Sequence, residues 1–534
     1  MKLPPNNERH RYGSARFTTE DEMARAGMFR KGPDSLFVGF LDGRSLYYSG
    51  AGGLITTAAA RSGKLATVLA YNSCVSGLGG AVVFLDVKGE ISKLSQIQFK
   101  PSFYWNPRRL HGLPYHRINP VDYIRWDSPS LVSDVKVFCE NMIPLSGSPN
   151  SSYFELRARE FLEAVVLTIV KLDGVLTLPR LYHVLMLIPA GGDAWLDFAF
   201  EMSEAGFAVT KAVEEEIAAA RGQDSGGFRG TMGELFKSFA PLSDPVLMEA
   251  VSPPYDMSLA DLCGSQACNL YLMPPAECLD IWGGVLKAFF VAAMIYKSRA
   301  PSAPRQTWIL DEVGQLGRFP LIVKLFTYGA GIGIRPWAIF QSAEQMKVLG
   351  PNADTIISSS AGLRQYFAVR DDVSAARLSR QLGTETLEYD DRPQQAAARL
   401  AREEALHHLI GGGDPMAAAL ALSHHGEMET HRSQQQRWLR TMDEVIGTPN
   451  DRQFIFADGL SHPIYAERAP YWEQRAMAGR FLPNPFHPPH DRVRIKTMFG
   501  HDWRRVITER VPSRYAHLPQ YADGYWSYVE GFRP

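Results

Sequence analysis

No apolar run in this chain is long enough to cross a bilayer as a helix. The two most apolar stretches, FLEAVVLTIVKL (161 to 172) and GGVLKAFFVAAMIYK (283 to 297), meet charge well before the ~18–20 residues that a span needs. The N-terminal MKLPPNNERHRYGSARF lacks the apolar core of a signal peptide, so neither a leader nor a membrane anchor is expected here. Cysteine is scarce: five residues, at 74, 139, 263, 268 and 278, make no disulfide framework in a chain of 534, and a reducing compartment is expected. Cys263 and Cys268 stand five apart with no second Cys or His pair at zinc-finger spacing, which favours buried thiols over a metal site. A dominant charge is missing too. With 56 Lys and Arg against 57 Asp and Glu, the net charge of −1 excludes a global basic field, so any polyanion must be held by a local patch or one built by oligomerisation. There is no internal repeat.

What is present is the composition of a globular protein, 45% hydrophobic and 21% charged, with room for two to four domains at roughly 150 residues each. FVGFLDGRSLYYSG (37 to 50) sets two apolar runs across Asp42-Gly43, the pattern of a β-hairpin. Short apolar runs then recur: LITT (54 to 57), AVVFLD (81 to 86), NLYLM (269 to 273), TWILD (307 to 311), PWAIFQ (336 to 341), RQYFAV (364 to 369) and QFIFA (453 to 457). Near-continuous apolar strands separated by helical patterns predict a mostly parallel sheet covered on both faces, hence an α/β fold. Residues 1–119 are expected to hold an N-terminal segment and the first part of this domain, and 120–256 a mainly helical insertion. In that insertion Ser152 and Glu155 have the spacing of a capping box at a helix start. Residues 257–460 would be the second part, with a helical excursion near 385–435, and 461–534 a C-terminal extension whose last forty residues show no clear period.

LITTAAARSGKLATVLAY (54 to 71) has the outline of a phosphate loop, in which backbone N–H groups and a lysine cradle phosphate oxygens at a helix start. The pattern GxxxxGK(S/T) places a glycine at Ala58 and a hydroxyl at Leu65, so only Gly63 and Lys64 conform. The candidate nucleotide-binding residues are Ala58, Ala59, Ala60, Arg61, Ser62, Gly63, Lys64 and Leu65. A strand, a turn and a helix with an exposed lysine is the plainer alternative. Three further strand ends carry polar tips. AVVFLDVKGE ends in Asp86, TWILDEVGQLGR in Asp311 and Glu312, and PWAIFQ in Gln341. Ligands bind at the C-terminal edge of α/β sheets, and a DE pair there suits one carboxylate for Mg²⁺ and one for an attacking water. Singly, each residue is as ordinary as a turn former or a capping group; their order along the chain is that of a RecA-like motor domain.

Taken together, GSARFTTEDEMARAGMF, AARSGKLATVLAYN, VVFLDVKGE, NPVDYI, LYLMPP, ILDEVGQLGR, GIGIRPWAIFQSAEQMKVLG, LSRQLGTET and AGRFLPNPFHPP resemble the conjugative type IV secretion coupling proteins, the TraG-like family, from about residue 13 to 490. The resemblance implies a RecA-like P-loop ATPase related to hexameric DNA pumps, using ATP and Mg²⁺, with an all-helical domain inserted after the second strand. It implies partners: DNA, as a relaxase-bound single strand, or secreted proteins, together with the secretion channel. By position Lys64 would bind the β- and γ-phosphates, Asp311 would serve Mg²⁺, Glu312 would activate water and Gln341 would sense the γ-phosphate. Arg364 is a candidate arginine finger or a structural salt-bridge partner. Two departures stand out. Family members usually begin with transmembrane helices, whereas the first shared motif here starts at residue 13, so the expectation is either a cytoplasmic chain recruited to the inner membrane by other components or one shortened at its N-terminus. Leu65 removes a hydroxyl from the Mg²⁺ site, so the alternative to an ATP-driven motor is a non-hydrolysing recruitment platform; a small-molecule kinase is a third reading, disfavoured by chain length.

Overall fold

The computed structural model describes residues 10–533 except 76, 98, 148, 222–225 and 431. In chain order the strands are β1 (Leu36–Leu41), β2 (Arg44–Tyr48), β3 (Leu54–Ala58), β4 (Val82–Leu85), β5 (Ser102–Trp105), β6 (Asn269–Leu272), β7 (Gln306–Leu310), β8 (Ile334–Phe340), β9 (Leu363–Phe367), β10 (Thr384–Asp390), β11 (Arg432–Trp438), β12 (Arg452–Ala457), β13 (Ile464–Glu467), β14 (Arg492–Thr497), β15 (Gly500–Arg510) and β16 (Tyr525–Val529). Eleven of these described strands make one sheet in the order β2-β1-β13-β12-β9-β3-β8-β7-β4-β6-β5. From β9 to β5 every pair is parallel, and β12 joins β9 antiparallel. β3, β4, β7 and β8 are buried along their whole length, which is why their sequences are continuous apolar runs rather than alternations. Their polar residues are paired internally: Trp337 Nε1 donates to Thr56 Oγ1 (2.9 Å) and Thr56 Oγ1 to Gln365 Oε1 (2.8 Å). The hairpin β1–β2 turns at Asp42 and Gly43, both at positive φ, as a tight two-residue turn demands.

The helices of the insertion run between β5 and β6, so a third parallel strand, SFYW, precedes them where two were expected. They share one continuous core with the sheet, in which Ile55 and Trp105 of the strands join Phe161 and Val165 of the helix Pro149–Asp173. That helix begins ahead of Ser152, and Glu155 does not cap it. Glu155 Oε2 instead accepts from the backbone N–H of Ser146 at 2.8 Å, closing the preceding turn. Four cysteines are buried and Cys263 is half-buried.

The chain divides into two compact units. The smaller comprises the described residues up to 20, together with 368–449 and 460–465. Here the predicted helical excursion is more regular than expected: β10 and β11 pair over seven residues, and the helices Arg392–Ile410 and Pro415–Thr430 form a hairpin tied by Arg399 and Arg402 to Glu429. The larger unit holds nearly all of the large sheet, the inserted helices and the antiparallel sheet β14–β15–β16. Among the described residues no helix is long and apolar enough to cross a membrane.

Close packing of β4 against β7 depends on Gly80. A Cβ there would lie 1.9 Å from the carbonyl oxygen of Arg305, a backbone atom with no room to move. Gly80→Ala is therefore expected to cost more than ~2 kcal/mol of stability, read as a lowered urea midpoint, whereas Gly77→Ala, where a Cβ meets nothing within 4 Å, is expected to be near neutral.

Candidate nucleotide site

β3 ends at Ala58, and Ala59 to Gly63 turn out of the sheet into a helix. Arg61 and Gly63 adopt positive φ, +59° and +78°, which curls the loop back over the strand end. Lys64 then opens a π-helical turn, Leu65–Leu69, in which the Ala70 N–H reaches back to the Leu65 carbonyl before α-helical geometry takes over at Ala70–Val75. Thr67 fastens this turn, donating from both its N–H and its Oγ1 to the Gly63 carbonyl, each at 2.9 Å.

The parallel register brings the predicted tips to the same edge. Thr57 pairs with Phe340, which sets Gln341 beside Ala58; its N–H donates to Gln345 Oε1 at 2.7 Å. Two strands from the loop, β7 delivers Asp311 and Glu312. Lys64 Nζ lies 2.5 Å from Asp311 Oδ1 and 3.6 Å from Glu312 Oε1, and Lys88 Nζ approaches the same Glu312 oxygen at 3.5 Å. Glu312 holds φ at +57°, a conformation that costs a non-glycine residue on the order of 1 kcal/mol and that aims its carboxylate at the two lysines. Burial pushes the Asp311 carboxyl above its ordinary range, against the pull of Lys64.

Asp86 belongs to this edge but serves it indirectly. Its Oδ2 accepts from both the N–H and the Oγ of Ser92 at 2.7 Å, fixing the start of the helix Glu90–Leu94. Burial raises its carboxyl to about 7, partly offset by the Ser92 hydrogen bonds and reinforced by the Asp311 and Glu90 charges. Arg364 does not join the cluster. It lies opposite Ile55, roughly 10 Å short of the strand end at ~3.3 Å per residue, and its guanidinium rests over the Phe456 ring at 4.9 Å in place of a salt bridge.

Two contributors were missed from sequence. One is Arg468, almost fully buried beneath the loop. Its Nη1 donates to the Ser62 carbonyl and to Thr67 Oγ1, both at 3.1 Å, its Nη2 to the Asn450 carbonyl, and its guanidinium stacks 3.8 Å over Phe367. Burial lowers its pKa to about 10. ERAPYW carries no motif that announces this. The other is the wall facing the loop: Arg61 to Ala66 line one side of a cavity of about 1020 Å³, and Tyr471, Trp472, Phe481, Phe486 and Trp503 line the other. The density of aromatics and prolines in RFLPNPFHPPH was the available signal.

Replacing Arg468 by Met leaves three backbone carbonyls, those of Ser62, Asn450 and Arg452, and the Thr67 hydroxyl without their donor, an expected loss of ~2–4 kcal/mol by urea unfolding. Asp86 yields a pH dependence. The folded chain holds its proton up to about 7 while an unfolded carboxyl releases it near ~3.9, so this residue makes stability fall as pH rises between those values. Asp86→Asn is expected to flatten the stability profile across that window.

No curated protein sequence matches this chain. Among solved structures it is similar to the bacterial conjugative coupling protein TrwBdeltaN70, in a trigonal form with sulphate, at 14% identity over 85% of this chain and 93% of that one, with a TM-score of 0.59. It is also similar to the plasmid coupling protein TrwB in complex with ADP and Mg²⁺ and in complex with the non-hydrolysable ATP analogue ADPNP, each at 14% identity, the same two coverages and a TM-score of 0.57. At that identity the likeness is one of fold, a RecA-like P-loop α/β architecture. The family model for type IV secretory system conjugative DNA transfer matches residues 8–406, more than half of the chain. This protein therefore belongs to the type IV secretory system conjugative DNA transfer family.

Proposed function

We propose that this chain is the coupling ATPase of a type IV conjugation system, binding ATP with Mg²⁺ at the Lys64 loop and passing DNA or protein cargo to the secretion channel. The observation that carries the reading is the convergence of Lys64, Asp311 and Glu312 within 3.6 Å at the C-terminal edge of the parallel sheet. The residues fit a nucleotide. Ser62 Oγ and Thr57 Oγ1, at the loop and the strand end before it, are buried with no hydrogen-bond partner among the described residues, and the adjoining cavity has room for a base and sugar. They also fit Mg²⁺, which takes one or two carboxylates and completes its shell with water and phosphate oxygens. When bound, the ion neutralises developing charge on the phosphates.

In this reading Lys64 would bind the β- and γ-phosphates and Asp311 would hold the ion. Glu312, strained and flanked by two lysines, orients the attacking water, and Gln341 reports the γ-phosphate to the neighbouring strand. Arg364 acts as an arginine finger across a subunit boundary in a hexamer. The inserted helices and the C-terminal region hold cargo, DNA delivered with a relaxase or secreted protein, and other membrane components bring the chain to the inner membrane. Leu65 favours a second reading, a recruitment platform that holds nucleotide without turning it over.

Turnover measured with and without single-stranded DNA separates the two. Lys64→Ala is expected to lose nucleotide binding and at least ~100-fold in rate. Glu312→Gln is expected to keep binding while losing about 10²–10⁴-fold in turnover. Wild-type protein that binds ATP but shows no turnover sensitive to Glu312→Gln would establish the platform instead. Leu65→Thr is expected to raise turnover by restoring a hydroxyl beside the ion.

A further inference from the structure

We propose that the outward face of the β14–β15 hairpin is a binding platform for single-stranded nucleic acid, continuous with the nucleotide cavity. The hairpin lies beyond the residues matched by the family model. In a chain of net charge −1, residues 491–505 hold five Lys and Arg against two Asp. β14 is strictly alternating: Val493 and Ile495 are buried in a core with Phe37 and Tyr71, so Arg492, Arg494 and Lys496 face outward. β15 sets Arg505 opposite Arg492, Trp503 opposite Arg494 and His501 opposite Lys496.

Two features mark this face. Arg492 and Arg505 are directly opposed like charges with Asp491 beside both, so a ligand phosphate can take the place of that carboxylate. At the hairpin turn Met498 and Phe499 are 69% and 95% exposed, and Trp503 is half exposed within the basic row. Alternate residues of a strand stand ~7 Å apart, so the three β14 cations form a row that the phosphates of an extended strand can follow. Unpaired bases then stack on Trp503 and Phe499. A duplex keeps its base faces hidden, and a bilayer contact would involve only Met498 and Phe499 at the tip, whereas Trp503 sits back among the arginines. Three carboxylates belong to the face: Asp491 pairs with Arg492 at 3.1 Å, Glu473 with Arg494, Lys496 and His501 at 3.4, 3.9 and 2.6 Å, and Glu530 Oε2 accepts from the Arg505 N–H at 3.4 Å. They leave the face net positive and are the groups that phosphates displace.

Arg492, Arg494 and Trp503 also line the cavity whose far wall is the Lys64 loop. Strand and nucleotide therefore compete for or share these side chains, and each changes the other's affinity by the same factor. This last step rests on the nucleotide reading above; the platform does not.

The test is fluorescence anisotropy of a labelled oligothymidylate of about 20 nucleotides with full-length protein. Arg505→Glu and Phe499→Ala lie outside the cavity and are exposed, so both should fold, with thermal melting as the check. Each is expected to weaken binding about tenfold or more, Arg505→Glu with a shallower salt dependence that Arg505→Lys restores. Unchanged affinity in both variants overturns the platform, as does equal affinity for a duplex of the same length. Binding to anionic vesicles that Phe499→Ala abolishes, with oligonucleotide binding intact, overturns it in favour of a membrane contact. Oligonucleotide binding that is lost in both variants supports it even if wild type turns over no ATP, which would sink only the ATPase reading. DNA-stimulated turnover that survives Arg505→Glu unchanged would leave that reading standing and sink the platform.

Discussion

One buried guanidinium ties the two ends of the large unit together. Arg468 reaches the Ser62 carbonyl across 406 positions of sequence, and the same side chain holds Thr67, the Asn450 carbonyl and the face of Phe367. A charge this deeply buried is tolerated because its planar fork finds an acceptor on each side and a ring beneath it. The loop's shape is thus set by chain that comes long after it, and the same late segment continues into the aromatic wall of the cavity.

The electrostatics of the edge follow a simple economy. Four acidic groups, Asp86, Glu90, Asp311 and Glu312, crowd into a small volume with Lys64 and Lys88. Water is too scarce there to solvate every carboxylate, so the deepest keeps a proton near neutral pH and the outer pair takes the lysines. This division separates structural from chemical labour. Asp86 fixes the turn through Ser92, while Asp311 and Glu312 lie against Lys64 and Lys88.

Much of the sheet and most of the site were legible because burial on both faces leaves a plain imprint. LITT, AVVFL, TWIL and PWAIF could hardly be anything but central strands, and the polar residues that end them had only one edge to share. Legibility failed where tertiary contacts decide. TETLEYD and RSQQQRW pair with each other while largely solvated, so no apolar alternation marks them. Ser152 and Glu155 mimic a helix start, yet Glu155 serves Ser146. Arg364 reads as a salt-bridge candidate, yet its guanidinium rests over the Phe456 ring of the neighbouring strand, a contact that sequence order does not convey. RVRIKT, as a basic spot, reads from sequence as solvated surface, and its alternation of buried Val493 and Ile495 with outward cations marks it as a strand.

The wide turn Leu65–Leu69 has a consequence for how this loop can vary. A π-turn accommodates one more residue than an α-turn in the same rise, so it acts as a reservoir of slack between the phosphate loop and the helix that follows. Beyond it the chain is pinned: Asn72 exchanges hydrogen bonds with the Phe37 backbone at 2.8 and 2.9 Å, and Tyr71 stacks on the Phe37 ring. A residue gained or lost at the loop can be absorbed by that turn without rotating Tyr71 and Asn72 out of phase. Such tolerance lets the length of the loop vary while the helix behind it keeps its seat.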